Sequence, residues 1–536
     1  KILKIPKFIC SLLLQRNINS LEKAKQFFRP NLDLLHDPFL MKDMLKVVER
    51  IQFFKSKKIM ILGDYDVDGT TSTAMLYKYF NFKGFNVSYY IPDRYQEGYG
   101  VSLKSIEHAE KNNFSLIITV DCGIKAINPV ALANSKGIEV IICDHHLPGD
   151  NLPKAYGIIN PKQSDCNYPF KELCGCGIAF KLITAHNLMS NDPYNINDFI
   201  DFTAIATVSD MMPLIDENRI IVFHGLRTIN SNPRTGLRNF LKSINSKIDE
   251  STISFNIGPR INAAGRMKNG KIIVELLIEE NGEKANILSN EVEFLNQTRR
   301  STEKNVLEEA ETQIIQNSFT NIVYSDQWSK GVLGIVASRL IEGSYKPTIV
   351  MTDSDEQFLT GSVRSVSGFD VYDALLKCED NIFQFGGHKY AAGLKVKKSN
   401  FESFNLKAQG EWPVDLSKSC KFSQIFTGEP ACGKMLHVVD VSVKAENTSN
   451  SIHLTGNGFC VTPNAGCKQI IQAKLNSRGT QNIFSQLIQT ETFNPVILSV
   501  LMGMLLGSPS ETSDSLHSID LRIDGSQVLV NDKALF

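Results

Sequence analysis

Between Lys58 and Asn160 short apolar runs recur at intervals, "IMILGD", "NVSYYIP", "LIITVD", "EVIICD" and "YGIIN". Stretches of helix-like pattern separate them, "STAMLYKYFNFKG", "SLKSIEHAEKNN" and "INPVALANSKG". This alternation predicts β-α-β units around a parallel sheet. The run "DFIDFTAIATVSDMMP" has helical composition and is expected to end near Asp210, with Pro213 as a stop signal. From Gly282 to about Gln316 the chain is charged, amphipathic and free of proline, the pattern of one long connecting helix. A second, smaller α/β unit follows, with "TNIVYSD" and "KPTIVM" as strands flanking "GVLGIVASRLIEG", and it closes on "FGGHKYAAG". Beyond about Asn405 serine, asparagine and glycine rise, charge thins, and runs such as "LHVVDVSV" and "SQVLVN" lean towards β structure. No internal repeat is evident. The expected organisation is a helical segment over 1–50, a parallel-sheet domain over 51–281, a connecting helix over 282–316, a smaller α/β domain over 317–404 and a β-leaning region over 405–536.

Length and composition bound the reading without choosing a function. At 536 residues the chain is long enough for three or four domains. Lysine plus arginine and aspartate plus glutamate each number 57, so a polyanion would have to be gripped by a local patch rather than a global field. The opening "KILKIPKFICSLLLQR" breaks its apolar run at Gln15 and Arg16, short of a signal peptide. The apolar run "NPVILSVLMGMLLGSP" is too short to span a bilayer comfortably, so no membrane association and a cytoplasmic location are expected. Eleven scattered cysteines without paired Cys-x-x-Cys knuckles point to reduced thiols rather than disulfides or structural zinc.

Candidate chemistry begins at "GDYDVDGTTS", which places Asp64, Asp66 and Asp68 two apart, followed by Gly69. A calcium-binding EF-hand loop starting at Asp64 would need glutamate at its twelfth position, where Met75 stands, and a helix before it, where "KIMIL" reads as a strand. A haloacid dehalogenase-type phosphatase, with Asp66 as nucleophile and Asp68 as acid, passes that test but leaves Asp64 without a task. Company favours a third reading. "LIITV" ends in Asp121-Cys122-Gly123 and "EVIIC" ends in Asp144-His145-His146, so all three motifs lie at the carboxyl ends of parallel strands, where one crevice collects them. Taken alone, Asp121 reads as a helix N-cap, the two histidines as loop residues and Asp210 as a helix-end acid. Together, so many carboxylates need neutralisation, and oxygen ligands with one or two imidazoles suit manganese or magnesium. Two such ions could activate water against a phosphate ester. Thr70, Thr71 and Ser72 are expected to cap the following helix, and Asp93 to be a turn acid. "GEPACGKM" has P-loop spacing but ends in methionine where a hydroxyl should bind magnesium, and reads as a turn.

These residues resemble the DHH phosphoesterases, named for the triplet that stands here as Asp144-His145-His146, and in particular the RecJ-type, single-strand-specific exonuclease branch of that family. "GDYDVDGTTS", "IPDRYQEGYG", "TVDCG", "ICDHHLPG", "NPKQSDCNYPF", "GPRINAAGR" and "FGGHKYAAG" carry the resemblance, from near the N-terminus to about residue 400. It implies a parallel-sheet DHH domain over 51–281 joined by the long helix to a smaller DHHA1 domain over 317–404, with a cleft between them. It further implies that Asp64, Asp66, Asp68, Asp121, His145 and Asp210 hold two manganese or magnesium ions, Asp121 bridging them. His146 would face the scissile phosphate and Asp144 would orient a neighbouring histidine. Arg94, Arg260 and Arg266 become candidate phosphate contacts, and Ser362, Arg364, Gly386, Gly387 and His388 candidate substrate-binding positions. A tight turn is the plain reading of the two glycines, one that the functional reading also needs, and an ordinary ion pair is the alternative for any of the arginines. The implied activity is 5′-to-3′ hydrolysis of single-stranded DNA in repair and recombination, with a single-strand-binding protein and a RecQ-type helicase as partners. A phosphodiesterase for short oligonucleotides or cyclic dinucleotides, and a catalytically silent nucleic-acid-binding scaffold, are the rival readings. Over the last 130 or so residues the composition permits the oligonucleotide-binding barrel usual in such proteins.

Overall fold

Five short strands form the first sheet, and in all but β2 nearly every residue is buried: β1 (Ile59–Gly63), β2 (Val87–Tyr90), β3 (Leu116–Val120), β4 (Glu139–Cys143) and β5 (Gly157–Ile159). All pair in parallel, in the order β2-β1-β3-β4-β5. Alternation along β1 sends Ile59 and Ile61 into one core and Met60 and Leu62 into another, so the sheet is covered on both faces. The strand order reverses between β1 and β3, and in such sheets ligands bind beyond the carboxyl ends at that point. In this computed structural model, residues 5–191, 193–242, 244, 247–315 and 318–411 are described, and beyond them the strand segments 420–422, 437–448, 451–461, 468–477, 517–524, 527–530 and 533–534. The chain forms two compact units, Lys1–Ser301 and Thr302–Phe536.

The first unit adds helices whose burial follows from composition. The helix Val67–Phe82 is enclosed on most sides, and the helices Gly175–Leu188 and Ile200–Ser209 are almost wholly buried. The helix expected to end near Asp210 does so, with Asp210 as its C-cap. The long helix runs Gly282–Glu311, ending before the expected 316. Its end has a physical cause: the Gln313 side chain bonds both the amide and the carbonyl of Tyr324 at 3.0 Å, drawing the chain away towards the next strand.

The second unit carries a mixed sheet of β6 (Asn321–Tyr324), β7 (Thr348–Asp353), β8 (Phe358–Arg364), β9 (Gln384–His388) and β10 (Ala391–Lys397), in the order β6-β7-β8-β10-β9. β6 and β7 are parallel, linked through the helix Leu333–Ser344, and the remaining pairs are antiparallel. Further on, the described strands pair into a seven-stranded, mainly antiparallel sheet, in keeping with the β-leaning composition. The barrel permitted by that composition rests in part on residues 423–436 and 478–516, outside the described residues, as do "GEPACGKM" and the apolar run 494–509. Among the described residues no helix is long and apolar enough to cross a membrane.

One buried ion pair ties the N-terminal segment to the helical layer. Lys181 and Glu217 are both buried, with Nζ 2.5 Å from Oε1. The Tyr168 hydroxyl donates to Glu217 Oε2 at 2.6 Å, the His36 amide to Oε1 at 2.8 Å, and Lys181 to the His36 carbonyl at 2.8 Å. Every charge is therefore answered, and removal of one partner leaves the other stranded. Glu217→Gln should destabilise the first unit by about 3–5 kcal/mol, while Lys181→Met combined with Glu217→Leu should recover most of that. Thermal and urea unfolding of the three proteins checks this; a double variant no better than the single one would mean that packing, not charge, holds the junction.

Candidate metal centre

The chain leaves β1 at Gly63, passes Asp64 and enters the helix Val67–Phe82 through its N-cap, Asp66, whose Oδ1 accepts from the Gly69 amide at 3.0 Å. Thr70, Thr71 and Ser72 are not caps, contrary to the sequence expectation. With the cap position already filled, their buried hydroxyls bond back to the carbonyls of Asp66, Val67 and Asp68 at 2.6, 2.7 and 2.6 Å. Asp68, in the first helical turn, accepts from the amides of Gly175 (2.6 Å, Oδ2) and Cys176 (2.7 Å, Oδ1), so the N-terminus of a second helix grips both its oxygens. The Val67 amide donates to Asn262 Oδ1 at 3.1 Å.

Asp121 follows β3 in a left-handed conformation, φ 58°, and does not cap a helix; the next one begins at Ile127. Its close neighbour must be glycine, because a Cβ on Gly175 would fall 2.7 Å from the Asp121 Cβ. After β4 come Asp144, His145 and His146. His145 Nε2 lies 3.2 Å from Asp121 Oδ1, 3.7 Å from Asp68 Oδ2 and 3.7 Å from Asp210 Oδ2. Asp64, Asp68, Asp121 and Asp144 are each at most 2% exposed.

Three overlapping triads result, Asp64-Asp66-Asp121, Asp68-His145-Asp210 and Asp121-His145-His146, with ligand atoms within 4.8 Å of one another in each. Two carboxylates 4 Å apart repel by roughly 4 kcal/mol at an effective dielectric of 20, and burial adds to that. The strain is visible in proton affinities. Burial first, then Asp66, raises Asp64 well above the usual carboxylate range; burial and Asp68 do the same to Asp121. Burial pushes Asp68 up to about 6 against the opposing pull of His145, and burial and Asp66 push Asp210 up to about 6. Burial also lowers His145, keeping its imidazole neutral. Among the described residues two buried polar atoms here, Asp64 Oδ1 and His145 Nδ1, have no hydrogen-bond partner. Hard oxygen donors with one imidazole, crowded and partly unsatisfied, fit a pair of divalent cations such as manganese or magnesium.

The two histidines are set differently. Asp144 Oδ1 meets His146 Nδ1 at 2.7 Å and accepts from the His146 amide at 3.1 Å, while Oδ2 accepts from the Ile124 amide at 2.8 Å. Burial opposes ionisation of Asp144, yet the His146 hydrogen bond and these amides outweigh it and lower its pKa. That pairing raises His146 against its own partial burial. His146 is 44% exposed in its side chain, so it can reach an incoming group, and the Asn160 amide holds its carbonyl at 2.9 Å. The Tyr99 hydroxyl donates to the Asp121 carbonyl at 2.9 Å and lies 3.2 Å from His146 Nδ1.

Of the arginines, Arg94 stacks over Tyr65 at 4.8 Å, and its charge reaches Asp64. Arg266 lies on the helix Gly258–Met267, its carbonyl accepting from the Tyr95 hydroxyl. Arg260 is engaged by Glu293 at 2.7 Å and the Asn256 carbonyl at 3.0 Å, an internal ion pair. In the second unit Arg364 Nη1 donates to Ser362 Oγ at 3.1 Å. Gly334, in the first turn of the helix Leu333–Ser344, leaves this pair room, since a Cβ there would meet Arg364 Nη2 at 2.7 Å and Ser362 Oγ at 3.0 Å. Gly386, Gly387 and His388 lie in β9, an edge strand, rather than in a tight turn; the reversal is made by Lys389 and Tyr390. Tyr99, Asn160, Asn262 and the Gly175–Cys176 amides did not emerge from the sequence reading, although glycines flank Tyr99 in "EGYGV" and Asn160 follows a strand.

Comparison with known proteins agrees with this arrangement. Residues 58–207 match the DHH family, N-terminal domain, and residues 316–411 match the DHHA1 domain. The single-stranded-DNA-specific exonuclease RecJ of Bacillus subtilis is 39% identical over 404 residues, which cover 74% of this chain and 51% of that protein. RecJ of Dickeya dadantii is 34% identical over 442 residues, 76% of each. A crystal structure of exonuclease RecJ bound to manganese superposes with a TM-score of 0.64 at 30% identity, covering 72% of this chain and 97% of that one. The chain thus spans about half to two thirds of the length of the first curated relatives it matches. With two domain matches in order, relatives at this identity and the DHH triplet at the centre of a carboxylate cluster, the chain belongs to the RecJ branch of the DHH family.

Proposed function

We propose that the protein is a metal-dependent 5′-to-3′ exonuclease that hydrolyses phosphodiester bonds of single-stranded DNA. The observation that carries this is the set of three triads sharing Asp121 and His145 beyond one sheet, with the unpartnered Asp64 Oδ1 pointing to a cation. Asp64, Asp66 and Asp121 would hold one divalent ion and Asp68, His145 and Asp210 a second, with Asp121 between them. When bound, two such ions supply a hydroxide at neutral pH and offset the charge that develops on the phosphate oxygens. The chain's own groups do the rest. The Gly175 and Cys176 amides hold Asp68 in one orientation. Asp144 keeps a proton on His146 Nδ1, and the half-exposed ring, whose Nε2 lies 3.3 Å from the Tyr99 hydroxyl, would meet a phosphate or leaving oxygen. Arg94, braced on Tyr65, offers a fork for a neighbouring phosphate. Arg260, spent on Glu293, is a weaker candidate for that task.

Ser362, Arg364 and the glycines near His388 are assigned in this reading to the terminal 5′ phosphate, beside the N-terminus of the helix Leu333–Ser344. A cytoplasmic place of action belongs to the same proposal, as does attendance by a single-strand-binding protein and a RecQ-type helicase, the partners on resemblance alone. So does the division into domains at 50, 281, 316 and 404.

Asp121→Ala should abolish hydrolysis while leaving the far-ultraviolet circular dichroism unchanged, since it removes the carboxylate shared by two triads. Chelation should silence the wild type, manganese or magnesium should restore it, and calcium should substitute badly. Strong manganese-dependent cutting by the variant would overturn the assignment. End recognition is tested on one oligonucleotide in linear 5′-phosphate, linear 5′-hydroxyl and circular forms. Arg364→Ala should weaken use of the 5′-phosphorylated strand by about 1.5–3 kcal/mol and matter less for the 5′-hydroxyl strand. The circle should resist the wild type; brisk cutting of it, or equal losses on both linear strands, would reduce Arg364 to a generic backbone contact.

A further inference from the structure

Two exposed apolar residues adjoin the polar centre along the chain, each one residue beyond a member of it. Leu147 follows His146 and is 69% exposed; Met211 follows Asp210 and is 87% exposed. The two loops meet where His145 Nε2 approaches Asp210 Oδ2 at 3.7 Å. Met211 is moreover held in the left-handed region, φ 54°, at the C-terminal end of the helix Ile200–Ser209. Glycine is the residue suited to that position, because any Cβ there is strained. The Met211 amide donates to the Val208 carbonyl at 3.2 Å and the Met212 amide to the Thr207 carbonyl at 3.0 Å, so the helix terminus itself imposes the conformation. A large apolar side chain is thus kept strained and solvent-facing one residue beyond a member of the carboxylate cluster. Folding does not account for it, since neither side chain is covered.

Resting on the exonuclease reading, we propose that Leu147 and Met211 form an apolar rim that packs against the nucleobases flanking the scissile phosphate. Charge chooses the occupant. A centre of carboxylates holding cations, with Arg94 near it, draws the phosphates of a strand inwards, and the bases attached to those phosphates are the flat apolar surfaces that arrive with them. A thioether and a branched alkyl group meet such faces without selecting among them, giving grip without sequence preference. The rim therefore separates base-bearing phosphodiesters from other phosphate esters.

The experiment uses the full chain with manganese and two 5′-phosphorylated single strands, identical except that one carries an abasic nucleotide at the second position. Stacking of one base predicts that the wild type favours the complete strand in kcat/KM by about tenfold, chiefly through KM. Leu147→Ser, Met211→Gly and the pair together should bring that ratio down towards one. Met211→Gly should also melt no lower than the wild type, because glycine relieves the left-handed strain; this keeps the test clear of misfolding. Equal use of both strands by the wild type, or an undiminished ratio in the double variant, would overturn the rim. Failure of the wild type to cut either strand would instead remove the exonuclease reading, and the rim's role with it.

Discussion

Repulsion between buried carboxylates is the constraint around which the first unit is organised. Asp64, Asp68 and Asp121 are sunk where water cannot screen them, and a polypeptide left to relax would splay such groups apart or protonate them. The cluster stays together because three of its members are fixed by something stiffer than a loop. Asp66 caps a helix, Asp68 is clamped by the first amides of another, and Asp121 sits in a left-handed backbone against a glycine. Parallel strands make this possible: their carboxyl ends lie side by side, and register fixes the spacing of whatever follows. The apolar strands and enclosed helices hold an otherwise self-repelling charge cluster in place.

Environment, not residue type, assigns the two adjacent histidines their parts. His145 is buried among carboxylates and kept neutral, the state in which an imidazole can ligate a cation. His146, one residue on, is partly exposed and paired with Asp144, which favours the protonated ring. Two neighbouring groups whose proton affinities are pushed in opposite directions are the usual sign of divided labour in a reactive site.

The sheet was legible in the sequence because buried parallel strands leave continuous apolar runs, and the acidic loops because aspartates at three successive strand ends have no common structural reason to be there. Asp210 was different. Alone it is an ordinary helix-end acid, and only resemblance attached it to the cluster. Apart from the Asp144–histidine pairing that the resemblance implied, the contacts that orient the cluster were not legible. Asn262 meets Val67, and Gly175 and Cys176 meet Asp68, across more than a hundred residues, through backbone amides or an unremarkable asparagine. Periodicity carries no trace of such pairings. Thr70, Thr71 and Ser72 were misread because hydroxyl residues near a helix start usually cap it, whereas here Asp66 already did. Arg260 shows the converse: residue type suggested a phosphate contact, and an acid on the long helix Gly282–Glu311 claimed the guanidinium.

The grip of the Gly175 and Cys176 amides on Asp68 also bears on biosynthesis. A growing chain exposes the acidic loops after β1, β3 and β4 well before the segment whose amides hold Asp68 has been made, and earlier still than Asp210. Partial chains therefore carry the liability of the charge without the groups that tame it. Assembly of the centre coincides with completion of the helical layer, and a cation that prefers the finished arrangement acts as a lock on the folded unit rather than a template for it.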